Sequence, residues 1–122
     1  MKTSPRLLVI DDEDYICRLL QMFFTRMELF TDTASSIQEG MKHLTNHDYD
    51  LVIMDVHLQE GKSTPHIPEI KEQQPDAKII VISGAASETD IEEALSAGGD
   101  TFVPKPFELE ELKATVEEII EM

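Results

Sequence analysis

The chain of 122 residues is predicted to be an α/β protein in three layers. A doubly wound, five-stranded parallel sheet of (βα)5 type lies between two layers of helices. Three observations predict this. Short apolar runs without polar alternation recur along the chain, as in strands buried on both faces. Between them lie segments whose apolar residues fall at steps of three and four. The two kinds alternate five times, and strand–helix alternation with right-handed crossovers gives a parallel sheet covered on both sides.

The first strand is Leu7 to Ile10, and Ile16, Leu19, Leu20, Phe23, Phe24 and Met27 mark the helix after it. A poorer strand, Leu29 to Thr33, precedes a helix anchored by Ile37, Met41 and Leu44. The third strand is Leu51 to Met54. Its helix falls within Ser63 to Gln73, with only Ile67 and Ile70 as large apolar anchors. There Thr64 is expected to cap and Pro65 to take the first helical position. Pro68 still lies in the first turn, where an N–H has no partner to lose. Ile79 to Ile82 is the fourth strand, and Ile91, Ala94 and Leu95 mark a short helix ending at Gly98-Gly99. Thr101 to Val103 is a weaker fifth strand, before a last helix carrying Leu109, Leu112, Val116, Ile119 and Ile120. No repeat or linker interrupts the series. One domain is expected over residues 1–122, with an ordered core from about residue 5 to residue 121.

Composition excludes several functions. The formal net charge of −15 repels nucleic acid and anionic membranes, so neither is an expected partner. The one cysteine, Cys17, cannot form an internal disulfide, and its apolar helical surroundings predict a buried, inert thiol. The apolar run near the N-terminus is too short for a signal peptide, and no stretch approaches a membrane span. A cytoplasmic protein is expected.

The chemistry lies where the strands end, because ligands of such sheets bind outside the carboxyl ends of the strands. Asp11, Asp12, Glu13 and Asp14 follow the first strand, Asp55 the third, Ser83 the fourth and Lys105 the fifth. Two carboxylates about 4 Å apart repel by ~4 kcal/mol at an effective dielectric of 20. Gathered carboxylates therefore protonate in part or recruit a cation. A hard divalent ion with oxygen ligands fits, and Mg2+ suits a site of few carboxylates that keeps several waters. A cation there leaves room for an anion beside Lys105 and Ser83, with phosphate the natural candidate. Asp55 could then act as a nucleophile and form an aspartyl phosphate.

Four segments in register carry a resemblance. IDDED at Ile10 to Asp14, LVIMDVHL at Leu51 to Leu58, IVISG at Ile80 to Gly84 and FVPKPF at Phe102 to Phe107 together make the chain similar to the receiver domains of two-component response regulators. The resemblance implies a flavodoxin-like fold with strand order 2-1-3-4-5. It implies Asp55 as phosphoacceptor, Asp12 as a direct Mg2+ ligand and Asp11 as a ligand through water. His57 takes the position that supplies a backbone carbonyl to the metal. Ser83 matches the switch hydroxyl, Phe102 the aromatic that changes rotamer with it, and Lys105 the phosphate-binding lysine. Lys105-Pro106 matches a dipeptide often cis in receivers. Mn2+ is an alternative metal. The implied partners are a histidine kinase or histidine phosphotransfer protein, and a downstream target or fused output domain. The face of helix 4, strand 5 and helix 5 is the implied switch, and the resemblance also allows a homodimer through it.

The sequence departs from that pattern at Gln59, where proline is common, and at Gly84, where alanine is common and glycine should loosen the loop. The His57 side chain, two residues past Asp55, is expected to alter autodephosphorylation; an unchanged rate in His57→Ala would remove that role. Two other functions compete. An unphosphorylated interaction module would not need the full set of Asp11, Asp12, Asp55, Ser83 and Lys105. A small Mg2+-dependent phosphohydrolase would carry its nucleophile on the first strand in a DxD pattern, which this chain lacks. No enzyme in the ordinary sense is expected, only self-phosphorylation from a donor and slow autodephosphorylation.

Overall fold

The computed structural model describes residues 4–84 and 87–121. Five strands form the main sheet: β1 (Arg6–Ile10), β2 (Phe30–Ala34), β3 (Leu51–Asp55), β4 (Lys78–Ser83) and β5 (Thr101–Pro104). All pair in parallel, in the expected order β2-β1-β3-β4-β5. Five helices alternate with them: α1 (Asp14–Arg26), α2 (Ile37–Asn46), α3 (Ile67–Gln73), α4 (Glu88–Ser96) and α5 (Leu109–Ile119).

Successive strand residues point to opposite faces, and the core divides accordingly. Leu7, Val9, Leu51, Ile53, Ile80 and Ile82 pack with Leu20 and Phe24 of α1 and with Leu112 and Val116 of α5. Leu8, Ile10, Val52, Met54, Ile79 and Val81 pack with α2, with Ile67 and Ile70 of α3, and with Ala94 of α4. Each fully buried aliphatic side chain contributes about 1.5–3 kcal/mol. Both faces of β3 are closed, which explains its unbroken apolar run.

The third crossover differs from the sequence reading. Thr64 does not cap a helix. It lies inside a 3-10 turn, Thr64–His66, and α3 begins only at Ile67. Ser63 holds the N-cap position of that turn, yet its hydroxyl donates to the Asp55 carbonyl at 2.7 Å instead. Before it lies a small antiparallel hairpin with arms His57–Leu58 and Gly61–Lys62. Gly61 has a φ of +122°, a region glycine enters without a Cβ clash.

At the far end of α4 the predicted glycine stop is present. Gly98 has a φ of +126°, and the Gly99 N–H donates to the Ala94 carbonyl at 3.0 Å. A Cβ on Gly99 would lie 2.9 Å from Val81 Cγ2 and 3.0 Å from that carbonyl oxygen. Gly99→Ala is therefore expected to lose about 1–3 kcal/mol, the usual cost of overpacking, read as a lower urea midpoint.

Opposite the strand ends that matter for chemistry, Arg6 ties β1 to β2. Its guanidinium donates to Asp32 at 3.0 Å and lies 4.2 Å from the centre of the Phe30 ring. Burial pushes the Asp32 carboxyl up, but hydrogen bonds from Tyr49 and Arg6 outweigh it and hold the group below its usual range. A depressed folded-state value contributes stability that is present above the unfolded value of about 3.9 and is lost as pH falls through the folded value. Asp32→Asn is thus expected to lower stability at neutral pH, and the gap to wild type should close below about pH 4.

Candidate functional site

The parallel sheet delivers the ends of β1, β3, β4 and β5 to one edge. Ile10 pairs with Met54, Asp55 with Ile82, and Ser83 with Pro104. Asp11 and Asp12 therefore follow β1 beside Asp55, which closes β3, and Ser83 closes the adjacent β4. One carboxylate oxygen from each of Asp11, Asp12 and Asp55 can be chosen so that all three lie within 4.8 Å of one another. Asp11 and Asp55 are buried and Asp12 is half-buried.

Lys105 completes the group. Its ammonium lies 2.8 Å from Asp11 Oδ2, 2.7 Å from Asp55 Oδ2 and 2.6 Å from Glu13 Oε1. The Lys105-Pro106 bond is cis, and the Lys105 N–H donates to the Ser83 carbonyl at 3.1 Å. Burial opposes the lysine's charge, but the ion pair with Asp11 and the hydrogen bonds to Asp55 and Glu13 prevail and raise its pKa. The Asp11 carboxyl is also shifted upward. Burial raises its pKa, and Lys105 and the Glu13 N–H offset this only in part. A carboxyl reluctant to ionise beside two others is a place where a hard cation lowers the energy. Three oxygen donors, with no soft ligand in the set, fit Mg2+.

Asp55 is held at each end. The His57 N–H donates to its Oδ1 at 3.0 Å, and Ser63 Oγ donates to its carbonyl. The His57 ring stands against α4, with Nε2 3.2 Å from Asp90 Oδ2. Ser83 is buried at the end of β4. Phe102, half-buried, packs against the core face that includes Val81 and Ala94. Cys17 is buried, as expected, with Sγ 3.2 Å from the Asp11 carbonyl. Burial and then the Asp11 charge push its thiol up to about 11, so little thiolate forms at neutral pH.

Glu13 is expected only as one of four acids after the first strand, with no role of its own, and the sequence does not single out Ser63, Lys62 or Asp90 as site residues. For Asp90 a signal existed: Ser87-x-x-Asp90 is a capping-box pattern, and both of its hydrogen bonds are made. The contacts of Glu13 and Ser63 depend on how distant segments meet.

A model of the response regulator receiver domain matches residues 7–117. The chain belongs to that family. The response regulator ArlR of Staphylococcus aureus is 30% identical over 115 residues, which are 94% of this chain and 52% of that protein. This receiver thus spans about half the length of the curated relatives it matches. Among solved structures, a two-component response regulator from Clostridium difficile superposes with a TM-score of 0.92 at 25% identity, covering 97% of both chains. A response regulator protein from Burkholderia pseudomallei, described with a phosphorylated aspartic acid, a calcium ion and citrate, gives a TM-score of 0.85 at 25% identity over 97% of this chain and 75% of that one.

Receivers generally bind Mg2+, and the donor set fits it. Saturation at a hundredfold excess over Kd stabilises a folded state by about 2.7 kcal/mol, on the order of 10 °C in Tm for a domain of this size. Mg2+ is expected to raise Tm by about that much, a chelator to reverse it, and Asp12→Asn to remove most of the rise.

Proposed function

We propose that this receiver accepts a phosphoryl group on Asp55 from a phosphohistidine donor, a histidine kinase or a histidine phosphotransfer protein. The observation that carries this reading is the placement of Asp55 between two fixed positive dipoles or charges. The His57 N–H lies on Oδ1 and the Lys105 ammonium on Oδ2. That pair orients the carboxylate without removing its lone pairs. The phosphorylated aspartic acid of the related Burkholderia pseudomallei protein supports the same chemistry here.

A carboxylate oxygen of Asp55 attacks phosphorus and the phosphorus–nitrogen bond of the donor breaks. The imidazole leaves with the bonding pair and takes up a proton, and an acyl phosphate remains on Asp55. Lys105 offsets charge on the transferred group, and the Ser83 hydroxyl donates to one of its oxygens. Asp12 and Asp55, the His57 carbonyl, and Asp11 through water would hold Mg2+, with Mn2+ as a substitute. When bound, the metal neutralises charge on nucleophile and phosphoryl group. Ser83 and Phe102 then bias the face of α4, β5 and α5, which acts on a target protein or an output domain. The chain consumes one phosphoryl group per cycle and hydrolyses it slowly, so it is a switch rather than a multiple-turnover enzyme. We place it in the cytoplasm.

The test is intact mass after incubation with acetyl phosphate, with Mg2+ and with chelator. A single Mg2+-dependent phosphoryl adduct is expected. A folded protein with no adduct under either condition would leave an unphosphorylated interaction module as the better reading.

A further inference from the structure

The hairpin after β3 is tied to Asp55 at both ends. The His57 N–H holds Asp55 Oδ1, and Ser63, just past the hairpin, donates its hydroxyl to the Asp55 carbonyl at 2.7 Å and its N–H to the Val56 carbonyl at 2.8 Å. His57 and Lys62 are direct cross-strand partners in the hairpin. Their side chains converge on one carboxylate of α4. His57 Nε2 lies 3.2 Å from Asp90 Oδ2, and Lys62 Nζ lies 2.6 Å from Asp90 Oδ1. Asp90 also closes the capping box of α4. Its Oδ2 accepts from the Ser87 N–H, and its own N–H donates to Ser87 Oγ, both at 3.1 Å. A continuous hydrogen-bonded route therefore runs from the acceptor carboxylate through His57 and Lys62 to the first turn of α4.

We propose that Lys62 and Asp90 are positioning residues that join the hairpin to α4, so that a change of charge on Asp55 moves α4 through the hairpin as well as through Ser83. This regulation rests on the reading of Asp55 as phosphoacceptor.

The physical cause is the bond at Oδ1. A backbone N–H bound to an ionised oxygen makes a charge-assisted hydrogen bond, roughly twice as strong as a neutral one. Conversion of Asp55 to an acyl phosphate takes the carboxylate charge from the oxygen that His57 holds and places it on the phosphoryl oxygens. The His57 N–H then loses part of its reason to stay. The hairpin shifts, and the two contacts to Asp90 carry that shift to the cap of α4. Without them the hairpin relaxes alone. Lys62 is the useful residue to change, because its side chain is 45% exposed and its removal leaves no cavity.

The experiment follows hydrogen exchange of the α4 amides in the presence of Mg2+, with and without acetyl phosphate, with the adduct measured by intact mass in the same samples. It compares wild type, Lys62→Ala and Lys62→Arg. All three are expected to take up the phosphoryl group. The phosphorylation-dependent change in α4 exchange should fall at least twofold in Lys62→Ala and recover in Lys62→Arg. A purely structural Lys62 would alter α4 exchange equally in both states and leave the difference intact. An undiminished difference in phosphorylated Lys62→Ala, or phosphorylated wild type with no change in α4, would overturn the proposal. Absence of the adduct in wild type would instead overturn the assignment of Asp55, and the proposal with it.

Discussion

Asp55→Asn is expected to take up no phosphoryl group from acetyl phosphate under conditions in which wild type is labelled. The amide is nearly isosteric, so the fold should hold, but it offers no anionic oxygen to attack phosphorus. Neither neighbouring carboxylate can take its place. Asp11 is fully buried, its Oδ1 accepts from the Glu13 N–H at 2.9 Å and its Oδ2 lies 2.8 Å from Lys105. Asp12 follows β1, whereas the His57 N–H and Ser63 hydroxyl are arranged on Asp55. The lysine is not orphaned by the change, since Asp11 and Glu13 still hold its ammonium. Loss of the adduct with an unaltered circular dichroism spectrum would thus report chemistry and not unfolding. An adduct at the wild-type rate would place the nucleophile elsewhere.

Lys105→Ala should slow labelling by roughly 10²-fold, the usual effect of removing one preorganised donor to a developing charge. The ammonium is the one cation within 4 Å of both Asp11 and Asp55 among the described residues. Its loss leaves a fully buried Asp11 beside Asp55 with no counter-charge, and the Asp11 carboxyl should move further up from its already raised value. Mg2+ should therefore stabilise the variant more than it stabilises wild type. Lys105→Arg should recover the charge but not the full rate. A planar guanidinium cannot bring one point charge to the three carboxylates that the lysine ammonium meets at 2.6–2.8 Å. An unchanged rate in Lys105→Ala, at equal Mg2+, would remove the lysine from the site.

Much of this was legible in the chain. The run LVIM before Asp55 could be read as a strand because both faces of β3 are covered, and burial on both sides erases polar alternation. The charge at its end is explained by the same geometry. The strand ends at the carboxyl edge of the sheet with Asp55 still buried, and Lys105 meets the carboxylate there. β2 was harder to read because it is an edge strand carrying Thr31, Asp32 and Thr33, with Phe30 exposed. Its observed span, Phe30–Ala34, starts and ends one residue later than expected.

The third crossover was the least legible part. Thr64 and Pro65 make a plausible helix start in sequence. Ser63, however, is drawn to the Asp55 carbonyl, and the chain makes a 3-10 turn before α3. A hairpin with two-residue arms leaves no periodicity to detect. The link between Lys62 and Asp90 joins residues far apart in the chain. Only Asp90 left a local trace, as the fourth residue of a capping box.

The most direct measurement of the central claim is the position of the modification. Wild type labelled with acetyl phosphate and Mg2+ would be reduced with borohydride, which converts an acyl phosphate to the corresponding alcohol, and then digested and mapped by tandem mass spectrometry. Conversion of Asp55 alone, absent when Mg2+ is chelated, is the expected result. Conversion at Asp11, Asp12 or any other residue, or labelling of equal extent in chelator, would contradict it.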